Sequence, residues 1–302
     1  MKGETIMQAT AKPARRIKDV PDNTDHSVHQ VTVYSVISVI ILIILALLFI
    51  FPLYWIITGS FKTQQAVNSA VPIWFPTGDT LTMRNYSELF GRPALLWLFN
   101  TVLICAAAMG LTCVAASMGG YALAKKKFVG KGFLFTLFVC AMALPKQVIL
   151  IPLLKELAFL KLHNTLWAVI LPTVGWPFGV FLMKQFSEGI PGELLEASRI
   201  DGAGEARTFI EIVLPLIKPG IGALAIFTFI TAWNDYFLQL IMLNDTKVLT
   251  ISLGIAKLQT ELSTDFGLIM AGAAVGSIPI IIIFLIFQKF FTRGITMGAV
   301  KG

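Results

Sequence analysis

Charge and cysteine are scarce in this sequence, and each scarcity excludes a class of protein. Only 14% of the 302 residues are charged, against about 25% in soluble globular domains, so a soluble domain is excluded. The three cysteines, Cys105, Cys113 and Cys140, lie in apolar runs without a CxxC spacing. Their placement is typical of small buried side chains and predicts neither a disulfide framework nor a metal site.

The motifs of enzymatic chemistry are missing as well. The sequence contains no G-x-x-x-x-G-K-S/T phosphate loop, no H-E-x-x-H zinc motif and no G-x-S-x-G nucleophile motif. We therefore expect a chain that is not an enzyme and holds no cofactor of its own. Any chemical energy that it uses has to come from another protein.

Long apolar runs dominate what is present, since 56% of the residues are hydrophobic and the mean hydropathy is +0.78. A helix needs about 20 apolar residues to cross a bilayer. Six runs reach that length, at residues 31–60, 93–124, 133–154, 165–186, 216–243 and 266–290. The sequence predicts an all-α, polytopic membrane protein with six transmembrane helices. Residues 1–30 are expected to form a disordered tail, and residues 291–302 a second, short tail.

Prolines predict breaks within these spans, and small residues predict close packing between them. Pro145 and Pro152 are expected to break the third span, and Pro172 and Pro177 the fourth, because proline cannot donate a helical hydrogen bond. In the sixth span a G-x-x-x-G spacing at 272–276 favours close packing within the helix bundle over a dimer-specific contact.

The distribution of Lys and Arg predicts the orientation. Segments on the same side as the N-terminus hold 16 of the 24 basic residues, the opposite loops hold 7, and Lys146 lies within a span. Because basic residues concentrate in cytoplasmic loops, both termini are predicted to be cytoplasmic. The net charge of +7 then reflects topology and not nucleic-acid binding.

One polar segment, residues 188–215, lies between two apolar runs. It is predicted to form two short helices, with Pro191 in the first turn, Gly202 as a left-handed C-terminal cap and Pro215 ending the second helix. Helices this short cannot bury an apolar face alone. The segment therefore needs a partner surface.

The order E-A-S at 196–198, Gly202 and I-x-L-P at 212–215 resembles the EAA coupling loop of ABC importer permeases, with Ser198 in place of an alanine. In that family the loop docks in a cleft of a cytoplasmic ATPase. The resemblance implies that Glu196 pairs with a basic group and that Gly202 allows a turn that a side chain would crowd. The implied coupling residues are Glu196, Ala197, Ser198, Arg199, Asp201, Gly202 and Ala203. An ordinary cytoplasmic hairpin with solvated charges is the alternative.

Three further stretches resemble carbohydrate-uptake permeases of the maltose type. They are A-W-N-D-Y-F at 232–237, P-K-Q at 145–147 and the C-terminal residues 294–302. M-R-N-Y at 83–86 also resembles the element that precedes the second conserved helix in sugar permeases, and the resemblance extends from about residue 85 to the end. It implies the type I ABC importer permease fold in a bacterial cytoplasmic (inner) membrane. It also implies a tail whose Gly298 and Lys301 contact the ATPase.

The same resemblance implies the partners and the solute. The partners would be a second homologous permease, two ATP-binding subunits that hold ATP and Mg, an extracytoplasmic sugar-binding protein and the lipid membrane, without nucleic acid. The chain would form half of the translocation path for a carbohydrate, a di- or oligosaccharide. A permease for a non-sugar solute and an ATP-independent secondary transporter are the alternatives.

Polar groups inside the spans are candidates for the solute path. An ionisable side chain at the bilayer centre costs about 2.5–3.5 kcal/mol, so it usually faces a cavity or a partner. The candidates are Trp233, Asn234, Asp235, Tyr236, Gln239, Lys146 and Gln147. For Lys146 and Asp235 a structural ion pair between their spans is an equal alternative.

Overall fold

The computed structural model describes residues 33–261 and 265–299, and every regular element in that part of the chain is a helix. The all-α prediction is confirmed. The helices are α1 Val33–Ser60, α2 Gln64–Val67, α3 Arg84–Phe90, α4 Ala94–Lys125, α5 Lys131–Met142, α6 Lys146–Phe159, α7 Trp167–Val174, α8 Phe178–Glu188, α9 Gly192–Ile200, α10 Glu205–Thr208, α11 Leu214–Asn234, α12 Tyr236–Met242, α13 Ile251–Glu261 and α14 Phe266–Ala299. The tail predicted at residues 1–30 lies outside the described residues.

The apolar helical stretches number five or six, against six predicted spans. Within the described residues, five stretches are long and apolar enough to cross a bilayer, and a sixth is added if the bent pair α5 and α6 counts as one span. The five are Tyr34–Ser60, Ala94–Lys125, Trp167–Glu188, Glu205–Asn234 and Phe266–Gln288. The chain divides into two compact units after Ile50, within α1, and the elements described below belong to the second unit.

Only one of the two prolines in each of the third and fourth spans breaks its helix. The third span bends by 107° between α5 and α6, directly before Lys146, whereas Pro152 stays inside α6. The fourth span is interrupted at Pro177, whereas Pro172 stays inside α7. Membrane helices tolerate an internal proline because neighbouring groups can satisfy the carbonyl that it leaves unpaired.

The fifth span and the loop after it differ from the prediction. The predicted run 216–243 is broken at Asp235, which separates α11 from α12 and whose Oδ1 accepts a hydrogen bond from the Leu238 N–H at 3.4 Å. The polar stretch 244–265 contains α13, which packs against α14 and α4. A Cβ on Gly272 would lie 2.6 Å from Ile255 Cγ1, so the G-x-x-x-G face packs within the bundle as predicted.

The last helix is longer than the predicted span. α14 continues to Ala299, so most of the tail expected from residue 291 is helical and Gly298 lies within it. Lys301, the other predicted tail contact, lies outside the described residues.

A buried asparagine ties the end of α1 to α3. The Asn85 Nδ2 donates hydrogen bonds to the Ser60 and Lys62 carbonyl oxygens at 2.8 and 2.9 Å, and Asn85 is buried. The Tyr86 hydroxyl lies 2.8 Å from Ser60 Oγ. These contacts satisfy carbonyl groups at the C-terminal end of α1, which the helix itself cannot pair.

Two apolar clusters form the core of the second unit. The larger one joins α3, α4, α6, α7, α11, α12, α13 and α14 around side chains such as Ile104, Phe229 and Leu268. The smaller one joins α4, α8, α9 and α11 and consists of Ala116, Tyr121, Met183, Ile190, Leu195, Val213, Ile217 and Leu224. The smaller cluster connects the polar segment 188–215 to the membrane helices.

Candidate coupling surface and solute cavity

The C-terminal end of α9 is closed by a Schellman motif. Gly202 has φ of +77°, the Ala203 N–H donates to the Ser198 carbonyl at 3.0 Å, and the Gly202 N–H donates to the Arg199 carbonyl at 3.1 Å. This confirms the predicted left-handed cap. A Cβ on Gly202 would meet no described atom within 4 Å. The glycine is therefore required for its backbone angle, and the expected crowding does not arise within this chain.

The second helix of the segment does not end at Pro215. α10 passes through a π-helical stretch, Phe209–Val213, in which the Leu214 N–H donates to the Phe209 carbonyl five residues earlier. Pro215 then lies in the first turn of α11. The wider π turn accommodates the proline ring, which would clash with a carbonyl of a regular α-helix, so the helix continues.

Most of the predicted coupling residues share one exposed surface. Glu196, Ala197, Arg199, Asp201 and Gly202 are exposed, and Ala203 is half-buried. Ser198 is the exception, because it is buried and its Oγ lies 2.5 Å from Thr208 Oγ1. Ser198 therefore holds α9 against α10 and is not part of the exposed surface that the sequence predicted.

Apolar side chains on this surface escaped the sequence analysis. Ile200 is 85% exposed and Leu194 is 42% exposed, although both belong to a polar segment. Leu195, their neighbour, is buried in the smaller cluster. The sequence carried a signal, because Leu194 and Leu195 cannot both face the core of one helix.

The basic turn after α4 anchors the coupling segment. Lys125 Nζ donates to the Glu188 and Ile190 carbonyls at 3.0 and 2.6 Å, and Lys126 forms an ion pair with Glu205. Partial burial lowers the pKa of the Lys126 ammonium, but its interactions with Glu205 and Tyr121 outweigh burial and raise the pKa above its ordinary value. The turn thus positions the segment in addition to carrying topological charge.

Three broken spans meet at the candidate solute cavity. Lys146 lies at the break between α5 and α6, Trp176 at the break between α7 and α8, and Asp235 at the break between α11 and α12. Lys146 Nζ lies 3.4 Å from Asp235 Oδ2 and 4.7 Å from the centroid of the Trp176 ring. The ion pair that the sequence offered as an alternative is therefore present.

The ion pair lines a cavity of about 70 Å³. Gln147 also lines it, as predicted, and so do Thr173 and Trp176, which the sequence analysis missed. The sequence did contain an indication that Trp176 lines the cavity, because this residue directly precedes Pro177, which interrupts the span.

The other predicted path residues lie elsewhere. Trp233 and Asn234 line a separate cavity of about 390 Å³ between α11, α13 and α14, and Tyr236 is half-buried with its ring 6.1 Å from Phe237. Gln239 is buried, its Nε2 donates to the Ala232 carbonyl at 2.9 Å, and its Oε1 accepts from Thr250 Oγ1 at 2.7 Å. Both ends of this amide are engaged, so Gln239 is a structural residue and the prediction that it lines the path is corrected.

The family model for binding-protein-dependent transport system inner membrane components matches residues 112–297, a range that contains α9 and all three broken spans. The chain belongs to this family. It is therefore a permease component and a multi-pass membrane protein. The fold prediction of an importer permease is thereby confirmed.

Two relatives agree with this assignment. The chain is 36% identical over 257 residues to the arabinooligosaccharides transport system permease protein AraQ of Halalkalibacterium halodurans, covering 84% of this chain and 91% of the relative. It is 30% identical to the sulfoquinovosyl glycerol transport system permease protein SmoH of Agrobacterium fabrum, covering 84% of this chain and 89% of the relative.

The structural comparison shows the fold. A chain of a bacterial ABC transporter involved in the import of the acidic polysaccharide alginate superimposes with a TM-score of 0.76 at 20% identity. The match covers 87% of this permease component and 98% of that chain.

Proposed function

We propose that this permease component forms half of the translocation path of an ATP-driven importer for a di- or oligosaccharide. A second, homologous permease completes the path, two ATP-binding subunits hold ATP and Mg, and an extracytoplasmic sugar-binding protein delivers the solute. The names of the relatives support the solute class, since AraQ and SmoH are named for arabinooligosaccharides and a sulfosugar glycoside.

One observation supports the coupling role: α9 has an exposed face and a buried face. Its exposed face presents Glu196, Arg199 and Asp201 around the apolar Ile200. Its buried face places Leu195 in the cluster that contains residues of α4, α8 and α11. A displacement applied to the exposed face is therefore carried to three membrane helices, because close-packed side chains transmit strain.

The proposed orientation places both termini and α9 in the cytoplasm. Lys125, the first lysine of the turn 125–131, donates to the Glu188 and Ile190 carbonyls between α8 and α9, so the turn and α9 share that side. There the ATP-binding subunits would receive α9. The predicted contacts of Gly298 and Lys301 with those subunits remain part of this proposal.

The Lys146 cavity is the proposed solute contact of this subunit. Its charges neutralise each other, and Gln147, Thr173 and the indole of Trp176 add the hydrogen-bonding and aromatic groups that suit sugar hydroxyls and C–H faces. A volume of about 70 Å³ is too small for a disaccharide. Alternating access would open the cavity.

An acidic carbohydrate is the second candidate solute. Lys146 is one third exposed and could turn from Asp235 to a carboxylate or sulfonate. The solved relative takes part in import of an acidic polysaccharide, and SmoH is named for a sulfosugar glycoside.

The test is a mild-detergent purification of this chain with its neighbouring genes co-expressed, followed by mass identification. We expect a second permease and a P-loop ATPase to co-purify. ATPase activity should then rise with a binding protein that has been loaded from a panel of neutral, acidic and non-sugar solutes. Purification without an ATPase would contradict the proposal and favour a gradient-driven transporter. Stimulation only by a non-sugar solute would retain the importer and reject the carbohydrate.

A further inference from the structure

Aromatic rings cluster where α1 ends. Some belong to the last ten residues of α1 and the others to the loop that follows it, and they are Phe51, Tyr54, Trp55, Trp74 and Phe75. The centroid of the Trp74 ring lies 6.1 Å from that of Phe51 and 6.0 Å from that of Trp55. The Phe75 ring lies 5.8 Å from Tyr54, whose hydroxyl donates a hydrogen bond to the Trp74 carbonyl oxygen at 2.7 Å. The loop therefore folds back onto α1.

Backbone hydrogen bonds close this loop at its base. The Thr63 N–H donates to the Thr80 carbonyl oxygen at 3.0 Å, and the Thr82 N–H donates to the Phe61 carbonyl oxygen at 2.8 Å. Residues 63–80 thus leave the end of α1 and return to it. Phe51, which Trp74 contacts, precedes the end of α1 by nine residues, or about 13 Å along the helix axis. The tip of the loop is therefore directed back toward the middle of the span.

The loop side of this cluster is apolar and exposed. Trp74 is 55% exposed and Phe75 is 68% exposed, although both contact α1. Val71, three residues before Trp74, is 73% exposed, and Phe51 is 45% exposed. Exposed apolar surfaces of this kind mark sites where a protein meets a membrane or another protein. The tip of the loop therefore has an apolar surface that the described part of the chain does not cover.

The order of groups along α1 matches a membrane–water interface. α1 has 28 residues and is about 42 Å long, whereas the hydrocarbon core of a bilayer is about 30 Å thick, so the ends of the helix reach the interfacial layers. Phe51 comes first, and Tyr54 and Trp55 follow with their polar groups. Lys62, two residues after the end of α1, places its Nζ 4.1 Å from the centroid of the Trp55 ring. Trp and Tyr concentrate at this depth because their rings are amphipathic.

Lipid is the occupant that the surrounding surface favours. The most apolar window of the span Tyr34–Ser60 has no residue buried within the described part of the chain, and this span carries no charged side chain. The aromatic cluster continues that surface at its end. Recognition of a soluble partner relies on charge complementarity, for which residues 63–78 offer no Lys, Arg, Asp or Glu. The loop tip is therefore better suited to a lipid layer than to a soluble protein.

We propose that the loop segment 71–76 is a lipid-binding anchor that lies in the headgroup layer beside the end of α1. The rings of Trp74 and Phe75 enter the boundary between the headgroups and the acyl chains. Pro72 and Pro76 bound this part of the loop and restrict its backbone. The inference goes beyond the proposed function and does not depend on the solute or the direction of transport, because it uses only the position of the loop on a membrane span.

The experiment measures the depth of a nitroxide spin label in lipid nanodiscs. The native cysteines are replaced by alanine, a label is attached at Phe75→Cys, and the chain is purified together with its co-expressed subunits. Oxygen concentrates in the apolar layer and a water-soluble nickel chelate does not, so this label should collide several-fold more often with oxygen than with the chelate. Asp79→Cys is the matched control, because Asp79 is an exposed, charged residue of the same loop, and its label should show the opposite preference.

Two results would overturn the anchor. Equal access of the chelate to labels at positions 75 and 79 would place the segment in water. Protection of position 75 from both oxygen and the chelate would show that a protein subunit, and not lipid, covers it. If Phe75→Cys does not assemble, a label at Trp74→Cys carries the same expectation, because Trp74 is also more than half exposed. The measurement requires neither an ATPase nor a sugar, so failure of the proposed function would leave its result unchanged.

Discussion

At the scale of single residues, the predicted solute-path residues are distributed over two separate cavities. Lys146, Gln147 and Asp235 lie together, whereas Trp233 and Asn234 line the cavity on the other side of α11. Neighbours in sequence point in different directions around a helix, and the break at Asp235 adds a further change of direction. Asp235 and Asn234 therefore form a natural comparison.

We expect Asp235→Asn to lower solute uptake about fivefold, because a partly exposed ion pair contributes about 1 kcal/mol. Asparagine can still cap α12, so the loss would come from the charge. Asn234→Ala, on the other cavity, should stay close to wild type. The measurement is uptake by the complete transporter, with subunit assembly checked by co-purification. A larger defect in Asn234→Ala than in Asp235→Asn would place the solute path on the opposite cavity.

Gly202→Asp should uncouple ATP hydrolysis from transport. The position has room for a side chain. The aspartate would add a negative charge to the proposed docking surface. The left-handed backbone conformation at this position also costs a non-glycine residue about 1–2 kcal/mol. Gly202→Asn has the same shape, tolerates the same backbone angle and adds no charge, so it should retain more coupling. Solute-stimulated ATPase activity and uptake, measured side by side, decide between them. Identical behaviour of both variants would show that the charge is irrelevant.

At the scale of elements, α9 is a short helix with two different faces. Ser198 and Leu195 attach it to α10 and to the smaller cluster, and Lys125 and Lys126 hold its two flanks. The π-helical stretch at 209–213 sets the rotation of α10 relative to α11. Hydrogen bonds, an ion pair and apolar packing therefore attach the segment to the neighbouring helices at several points.

Ile200→Ser tests whether that exposed face binds the ATPase. The side chain is 85% exposed, so the substitution should leave the thermal stability of the permease unchanged. We expect weaker co-purification of the ATP-binding subunit, since an exposed apolar side chain at the centre of a polar surface is typical of an interface. Leu195→Ser, on the buried face, should instead lower stability by about 2–5 kcal/mol. Unchanged recovery of the ATPase with Ile200→Ser would reject Ile200 as a contact.

At the scale of the whole molecule, three spans are discontinuous where they meet the candidate solute cavity. The third, fourth and fifth spans each break, and the breaks bring Lys146, Trp176 and Asp235 together. Broken helices free backbone and side-chain polar groups inside the membrane, which is tolerated where they line a cavity or contact protein. This arrangement favours a transport path over a purely structural bundle.

The proposed topology has a direct test by labelling with a membrane-impermeant maleimide. Cys105, Cys113 and Cys140 would first be replaced by alanine, and single cysteines introduced as Lys127→Cys and Asp79→Cys at exposed positions. Intact cells should label position 79, and inverted vesicles should label position 127. The reverse pattern would invert the orientation that the basic residues predict.

Composition and motifs by themselves determined the class of this protein. Six apolar runs of 20 residues or more predicted membrane helices, because a helix that long crosses the bilayer and pairs its backbone groups within itself. Gly202 required a left-handed turn, and the E-A-S and I-x-L-P spacings located the proposed coupling segment. Such properties are local, so they can be read from neighbouring residues.

The tertiary structure alone decided which side chains share a surface. Ser198 and Gln239 turned out to be buried and hydrogen-bonded, Trp233 and Asp235 line different cavities, and the polar stretch after α12 folded into α13. Pro215 left its helix unbroken because a π turn accommodates the ring. These outcomes depend on contacts between residues far apart in sequence, such as Lys146 with Asp235 or Thr112 with Gly179, and no local pattern encodes them.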